Sequence, residues 1–186
     1  MKYTLTCFFF CAQLYVLAQE QAANMVFWAN LKLHCGNAYE GQLISPATEN
    51  DPFAGKTLTM YVMDCGEDFV HIPFYVGDDK SRTWVLTVKN GLIQLKHDHR
   101  HEDGSEDKVT QYGGVASNSG SATTQMFPAD QATTNLIPYA AHNVWWISLD
   151  DSGFTYNLRR MGTERWVAVK FDLTKPVANP GKPWGW

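Results

Sequence analysis

The sequence predicts an all-β fold, an antiparallel meander closing into a lipocalin-like barrel, with a β-sandwich as the alternative. Three observations carry this. Apolar and polar residues alternate with period two along most of the chain, the pattern of strands with one buried face. Turn residues interrupt the alternation at short intervals: Asp51-Pro52, Gly77-Asp78-Asp79, Asn90-Gly91, Gly113-Gly114, Asp151-Ser152-Gly153 and Gly162. No window shows a convincing helical period.

Strands are expected at residues 25–35, 38–44, 57–63, 69–76, 81–88 and 92–101. Others follow at 109–112, 122–127, 144–149, 154–160 and 165–173. Only residues 128–140 leave room for a short helix, which Pro138 limits. Many short strands in sequence joined by tight turns fit an antiparallel meander, which means a closed barrel or a sandwich.

Residues 1–18 read as a secretory signal. Lys2 precedes an apolar stretch from Cys7 to Val16, and Val16-Leu17-Ala18 offers a small-residue cleavage site. The remaining chain is expected to be one barrel domain, residues 19–174, with an irregular Pro-, Gly- and Trp-rich tail at 175–186. The expected location is outside the cytoplasm, periplasmic or extracellular. The formal net charge is −4, and losing Lys2 with the leader makes it one unit more acidic. That acidity argues against nucleic-acid binding, which needs a clustered positive surface. Beyond the leader no apolar run is long enough to span a bilayer.

Cys7 and Cys11 would leave with the leader. Cys35 and Cys65 then face an oxidising compartment, where a disulfide between them is the expected outcome. Such a loop contributes roughly 3 kcal/mol by restricting the unfolded chain.

Asn90-Gly91 between two alternating runs specifies a two-residue type I′ hairpin turn. That turn sets Val88 opposite Ile93, Leu86 opposite Leu95, Trp84 opposite His97 and Arg82 opposite His99. All of these share one face, and the opposite face collects polar pairs such as Thr83 with Asp98. His97, His99 and His101 therefore line one side of a strand beside Trp84 and Arg82. Buried polar groups need partners, so this corner must be bonded, liganded or wet.

Three uses fit the cluster. One is a ligand site in which Arg82, Trp84, His97 and His99 hold a small anion or carboxylate, the guanidinium supplying the charge. A second is a divalent metal such as Zn on His97, His99 and His101 with Glu102, either in a metal-binding barrel or, with Glu102 as acid or base, in a metal-dependent enzyme. The third is a structural network of Arg82, the histidines and the acids of residues 102–107, as in a structural or interaction protein of the cell envelope. The direction of the Arg82 guanidinium separates them. Pointing at the histidines it favours an anion or a network, and turned to Asp98 or the acidic loop it leaves room for a cation. No nucleophile elbow, phosphate loop or dinucleotide glycine pattern is present.

The segments Val76-Gly77-Asp78-Asp79-Lys80-Ser81-Arg82-Thr83-Trp84, Leu95-Lys96-His97-Asp98-His99-Arg100-His101-Glu102-Asp103-Gly104-Ser105-Glu106-Asp107 and Tyr112-Gly113-Gly114 resemble a group of small exported bacterial β-proteins without an assigned activity. The resemblance implies export, and it implies neither catalytic residues nor a substrate.

Overall fold

The computed structural model describes residues 22–48 and 51–186. The expected signal segment, 1–18, lies outside the described residues. The barrel is present. Ten antiparallel strands run in the order β7-β6-β5-β4-β2-β1-β11-β10-β9-β8, and the short β3 pairs with β4 off this path. The first five are β1 (Ala38–Leu43), β2 (Leu58–Tyr61), β3 (Asp64–Cys65), β4 (Phe69–Val76) and β5 (Asp79–Lys89). They are followed by β6 (Leu92–His99), β7 (Tyr112–Val115), β8 (Thr124–Pro128), β9 (Asn143–Leu149), β10 (Gly153–Arg160) and β11 (Trp166–Val177).

The β5–β6 hairpin has the expected register, with Val88 opposite Ile93, Trp84 opposite His97 and Arg82 opposite His99. Asn90 and Gly91 both take positive φ, 51° and 75°, as a type I′ turn demands.

Two edge strands meet at the seam. β7 and β8 share no ladder, and the gap is closed by a helix, α2 (Gln131–Leu136), which follows β8. Thr133 Oγ1 accepts from the Gly113 N–H at 2.7 Å and donates to the Gly113 carbonyl at 2.8 Å. Asp130 N–H donates to the same carbonyl at 3.0 Å. A Cβ on Gly114 would stand 1.8 Å from the Pro128 carbonyl oxygen, so the seam closes only because the residue there is glycine.

Two strand expectations fail. The strand expected at 109–112 forms instead at Tyr112–Val115, through Gly113-Gly114, a pair expected to be a turn. Residues 25–35 are not extended: α1 (Ala23–Lys32) is a helix that buries Asn24, Phe27, Trp28 and Leu31, positions three and four apart. It closes one barrel end. Asn24 Nδ2 donates to the Gly91 carbonyl at 2.6 Å, Trp28 Nε1 to the Glu67 carbonyl at 3.2 Å and Lys32 Nζ to the Gly66 carbonyl at 2.7 Å. The Cys35–Cys65 disulfide forms as expected, with Cα atoms 6.3 Å apart, and ties the chain just after α1 to β3.

Phe27, Trp28 and Leu31 join the strand side chains in one continuous core. Its middle is a stack in which Trp84 lies 4.8 Å from Phe74 on one side and 4.4 Å from Tyr156 on the other. The barrel is thus filled by side chains rather than hollow.

The tail lies across the outer face. β11 runs to Val177, past the expected boundary at residue 174. Beyond it Asn179 Nδ2 donates to the Tyr61 hydroxyl, Lys80 Nζ to the Pro180 carbonyl and the Tyr75 hydroxyl to the Gly181 carbonyl, all within 3.0 Å. The Trp186 ring packs 4.5 Å from His71.

Candidate functional site

The end opposite α1 is where β6 and β10 finish and where β5, β7, β9 and β11 begin. The hairpin register delivers His97 and His99 here, facing inward. His97 is buried, its ring 4.6 Å from Tyr112 in a parallel stack and 5.1 Å from Trp145. A carbonyl can only accept, so His97 Nδ1 carries the proton and donates to the Tyr112 carbonyl at 3.0 Å. Nε2 is then the acceptor, and the Tyr156 hydroxyl donates to it at 2.8 Å. Burial pushes the His97 pKa down to about 3.

His99 stands one step nearer solvent. Its Nε2 shares a hydrogen bond with the Tyr112 hydroxyl at 2.9 Å, and its backbone N–H donates to Thr110 Oγ1 at 2.8 Å. Burial first, and the Arg82 guanidinium second, push its pKa down to about 4. Both imidazoles are neutral at neutral pH. Burial also raises Tyr112 to about 12 and carries Tyr156 well above the ordinary phenol value, so both hydroxyls keep their protons.

The remaining expected residues are placed as follows. Arg82 turns to neither the histidines nor Asp98 but pairs with Asp79 on its own strand, while its charge still reaches His99 and Tyr112. Trp84 is enclosed in the aromatic stack. His101 and Glu102 are exposed in a turn held by Gly104 N–H to the His101 carbonyl at 2.9 Å, because the strand ends at His99 and the inward row ends with it. His97, His99, His101 and Glu102 do not converge, and among the described residues no group of three or more His, Cys, Asp or Glu is arranged to hold a metal.

Asp98, on the opposite face, is also buried, against the reading of that face as simply polar. Its carboxylate accepts from Arg100 Nε at 2.8 Å, Gln111 Nε2 at 2.9 Å and Trp186 Nε1 at 3.0 Å. It is the anchor of the tail.

Above the histidines the barrel end holds a cavity of about 180 Å³. Ile137, Trp145, Leu158 and Val167 form its apolar wall, and Tyr112, Tyr156, Arg160 and Arg165 supply the polar groups. Arg160 is engaged, its Nε donating to Asn143 Oδ1 at 2.9 Å and its guanidinium lying 5.0 Å from the Tyr139 ring. Arg165 is exposed at the rim, and among the described residues no carboxylate pairs with it. A larger depression of about 490 Å³ lies over the outer faces of β1 and β11, between Glu40, Lys170 and Asp172. It is an open groove of mixed charge whose one apolar side chain is Ile44.

Tyr112, Trp145, Tyr156 and Arg165 were not among the site residues that the sequence suggested. The alternation Phe154, Tyr156, Leu158 does point Tyr156 inward. Nothing local shows that β10 and β11 end beside β6 and β7. Comparison with protein-family models, with curated proteins and with solved structures gives no match, so the side chains themselves carry the reading of the site.

Proposed function

We propose that the barrel binds a small amphipathic carboxylate at its open end. A single observation carries this: the cavity is walled by apolar side chains, the Tyr112 and Tyr156 phenols in it and the His97 and His99 imidazoles beneath it are neutral, and its formal charges are the guanidiniums of Arg160, held by Asn143, and of Arg165, free at the rim. A guanidinium fork suits a carboxylate, and the apolar wall suits the body that carries it. Tyr156 has committed its proton to His97, so its oxygen can only accept from a ligand. Tyr112 is adaptable: neutral His99 can present either tautomer, leaving the Tyr112 hydroxyl free to donate. The histidines thus set the polarity of the two phenols rather than gripping the ligand. The oxidised Cys35–Cys65 pair and the resemblance to exported bacterial proteins support an extracytoplasmic setting.

The test is tryptophan-fluorescence titration with benzoate and 4-hydroxybenzoate against benzyl alcohol and benzylamine. Trp145 in the cavity wall is expected to report the carboxylates. Arg165→Gln should weaken carboxylate binding by about tenfold or more, the loss of one charge-assisted pair. Equal response to acid and alcohol, or an unchanged titration in Arg165→Gln, overturns the reading.

A further inference from the structure

We propose that Trp186 is a positioning residue for the cavity: through Asp98, on the outside of the barrel, it fixes the chain that carries Tyr112 inside. The proposal rests on the reading of the cavity as a ligand site and adds what holds its β6–β7 rim. Residues 100–111 leave β6 after His99 and return as β7, bringing Val109 and then Tyr112 to the cavity. Two bonds tie the last turn of this connection to β6. The Gln111 N–H donates to the His97 carbonyl at 2.7 Å, and Thr110 Oγ1 accepts from the His99 N–H at 2.8 Å. Gln111 has φ 57°, and the other non-glycine residue with positive φ among those described is Asn90 of the hairpin turn. Such a backbone is disfavoured for a residue with a side chain and persists only where its surroundings hold it.

Asp98 does the holding. Its side chain has no exposed surface. One carboxylate oxygen accepts from Gln111 Nε2 at 2.9 Å and from Thr110 Oγ1 at 3.2 Å, and the other accepts from Arg100 Nε at 2.8 Å and Trp186 Nε1 at 3.0 Å. The same buried group thus takes the cavity rim on one oxygen and the tail on the other. Trp186 also covers it, the ring lying 4.5 Å from His71 and 5.7 Å from the Arg100 guanidinium. Without that donor and cover, water competes for the carboxylate, and the left-handed turn at Gln111 loses part of what offsets its cost. Tyr112 follows Gln111 directly, stacks on His97 and bonds to His99, so movement of the turn reaches the cavity wall. The tail's other contacts lie elsewhere: Asn179 bonds to Tyr61 on β2, away from this connection.

Hydrogen exchange and calorimetric titration with benzoate test it on the full chain. Trp186→Phe keeps an aromatic ring and removes the N–H. It should speed exchange of the Gln111 amide by about tenfold, the loss of one hydrogen bond to a charged group. Benzoate binding should weaken by about fivefold, at the low end of couplings between sites. Amides of the β9–β10 ladder should exchange as in the parent, which shows that the barrel is folded. Asn179→Ala frees the tail from Tyr61 and should change neither rate nor affinity. In a Gln111→Gly background the left-handed backbone carries no penalty and the side-chain link to Asp98 is gone, so Trp186→Phe should act much less. Equal effects of Trp186→Phe and Asn179→Ala, an unchanged Gln111 amide, or full additivity with Gln111→Gly overturns the proposal. So does unchanged affinity in Trp186→Phe when the parent binds benzoate. A parent that binds no benzoate sinks the carboxylate reading alone, and the exchange rates then decide whether Trp186 holds the rim.

Discussion

The Tyr156 hydroxyl donates to His97 Nε2 at 2.8 Å, and the other nitrogen of the same ring donates to the Tyr112 carbonyl at 3.0 Å. Both ring nitrogens are satisfied inside a buried aromatic cage, so the imidazole has one tautomer and one orientation. Tyr156→Phe leaves Nε2 without a partner and should cost about 1–3 kcal/mol. His97→Phe strips the phenol of its acceptor at similar cost. Because each single change orphans the other group, the double variant should be less destabilised than the sum. Urea unfolding of the four proteins measures this coupling, and strict additivity would show that the bond contributes nothing.

Acid should weaken the fold before its carboxylates titrate. His97 and His99 have native pKa values near 3 and 4, against 6.5 for an unperturbed histidine. In that window the unfolded chain binds protons that the native state refuses. Stability is therefore complete above about pH 7 and falls as pH drops through 6.5, continuing until the native values are passed. The slope approaches about 1.4 kcal/mol per pH unit for each histidine. Asp79 and Asp130 are held below the ordinary carboxylate value by Ser81 and Arg82 and by Lys96 and Thr133, against an opposing effect of burial, and add their loss only at lower pH. Unfolding midpoints between about pH 7 and pH 5 check this, and His97→Phe should flatten the slope.

The seam gives a sharper contrast. Gly114→Ala must push the Pro128 carbonyl away and should cost on the order of 3 kcal/mol. Gly162→Ala meets no atom within 4 Å and carries only its positive φ of 76°, a cost of about 1 kcal/mol. Hydrogen exchange should show β7 and β8 losing protection first in Gly114→Ala. Equal effects of the two substitutions would mean that the strands are not held edge to edge.

What could be read from the chain was what local chemistry dictates. Asn90-Gly91 fixed a hairpin, and alternation fixed which way Trp84 and His97 point. Helix α1 escaped because Val26-Phe27-Trp28 has strand-like residues, and because its stripe runs through Asn24, a polar residue that the hairpin's Gly91 carbonyl satisfies. Asp98 looked solvent-facing because its cover, Trp186, lies 88 residues away in sequence. The cavity escaped for the same reason. Tyr112, Tyr156 and Arg165 become neighbours only through barrel closure, which no short window records.

The disulfide should matter chiefly to the helix that closes the barrel. It joins Cys35, three residues past the end of α1, to Cys65, beside the Gly66 and Glu67 carbonyls that accept from Lys32 and Trp28. Those side-chain bonds hold the helix only while its C-terminal turn stays in place, and the covalent link keeps it there. Cys35→Ser with Cys65→Ser should cost roughly 3 kcal/mol by the chain-entropy relation for a separation of 30 residues. The loss should not spread evenly. The β9–β10 and β10–β11 ladders are paired without the two linked segments, so their amides should stay protected while those of α1 exchange faster. Hydrogen exchange with and without reductant measures both at once. If the strand amides lose protection in step with those of α1, the helix is an inseparable part of the core, and the disulfide secures the whole barrel instead of its closure.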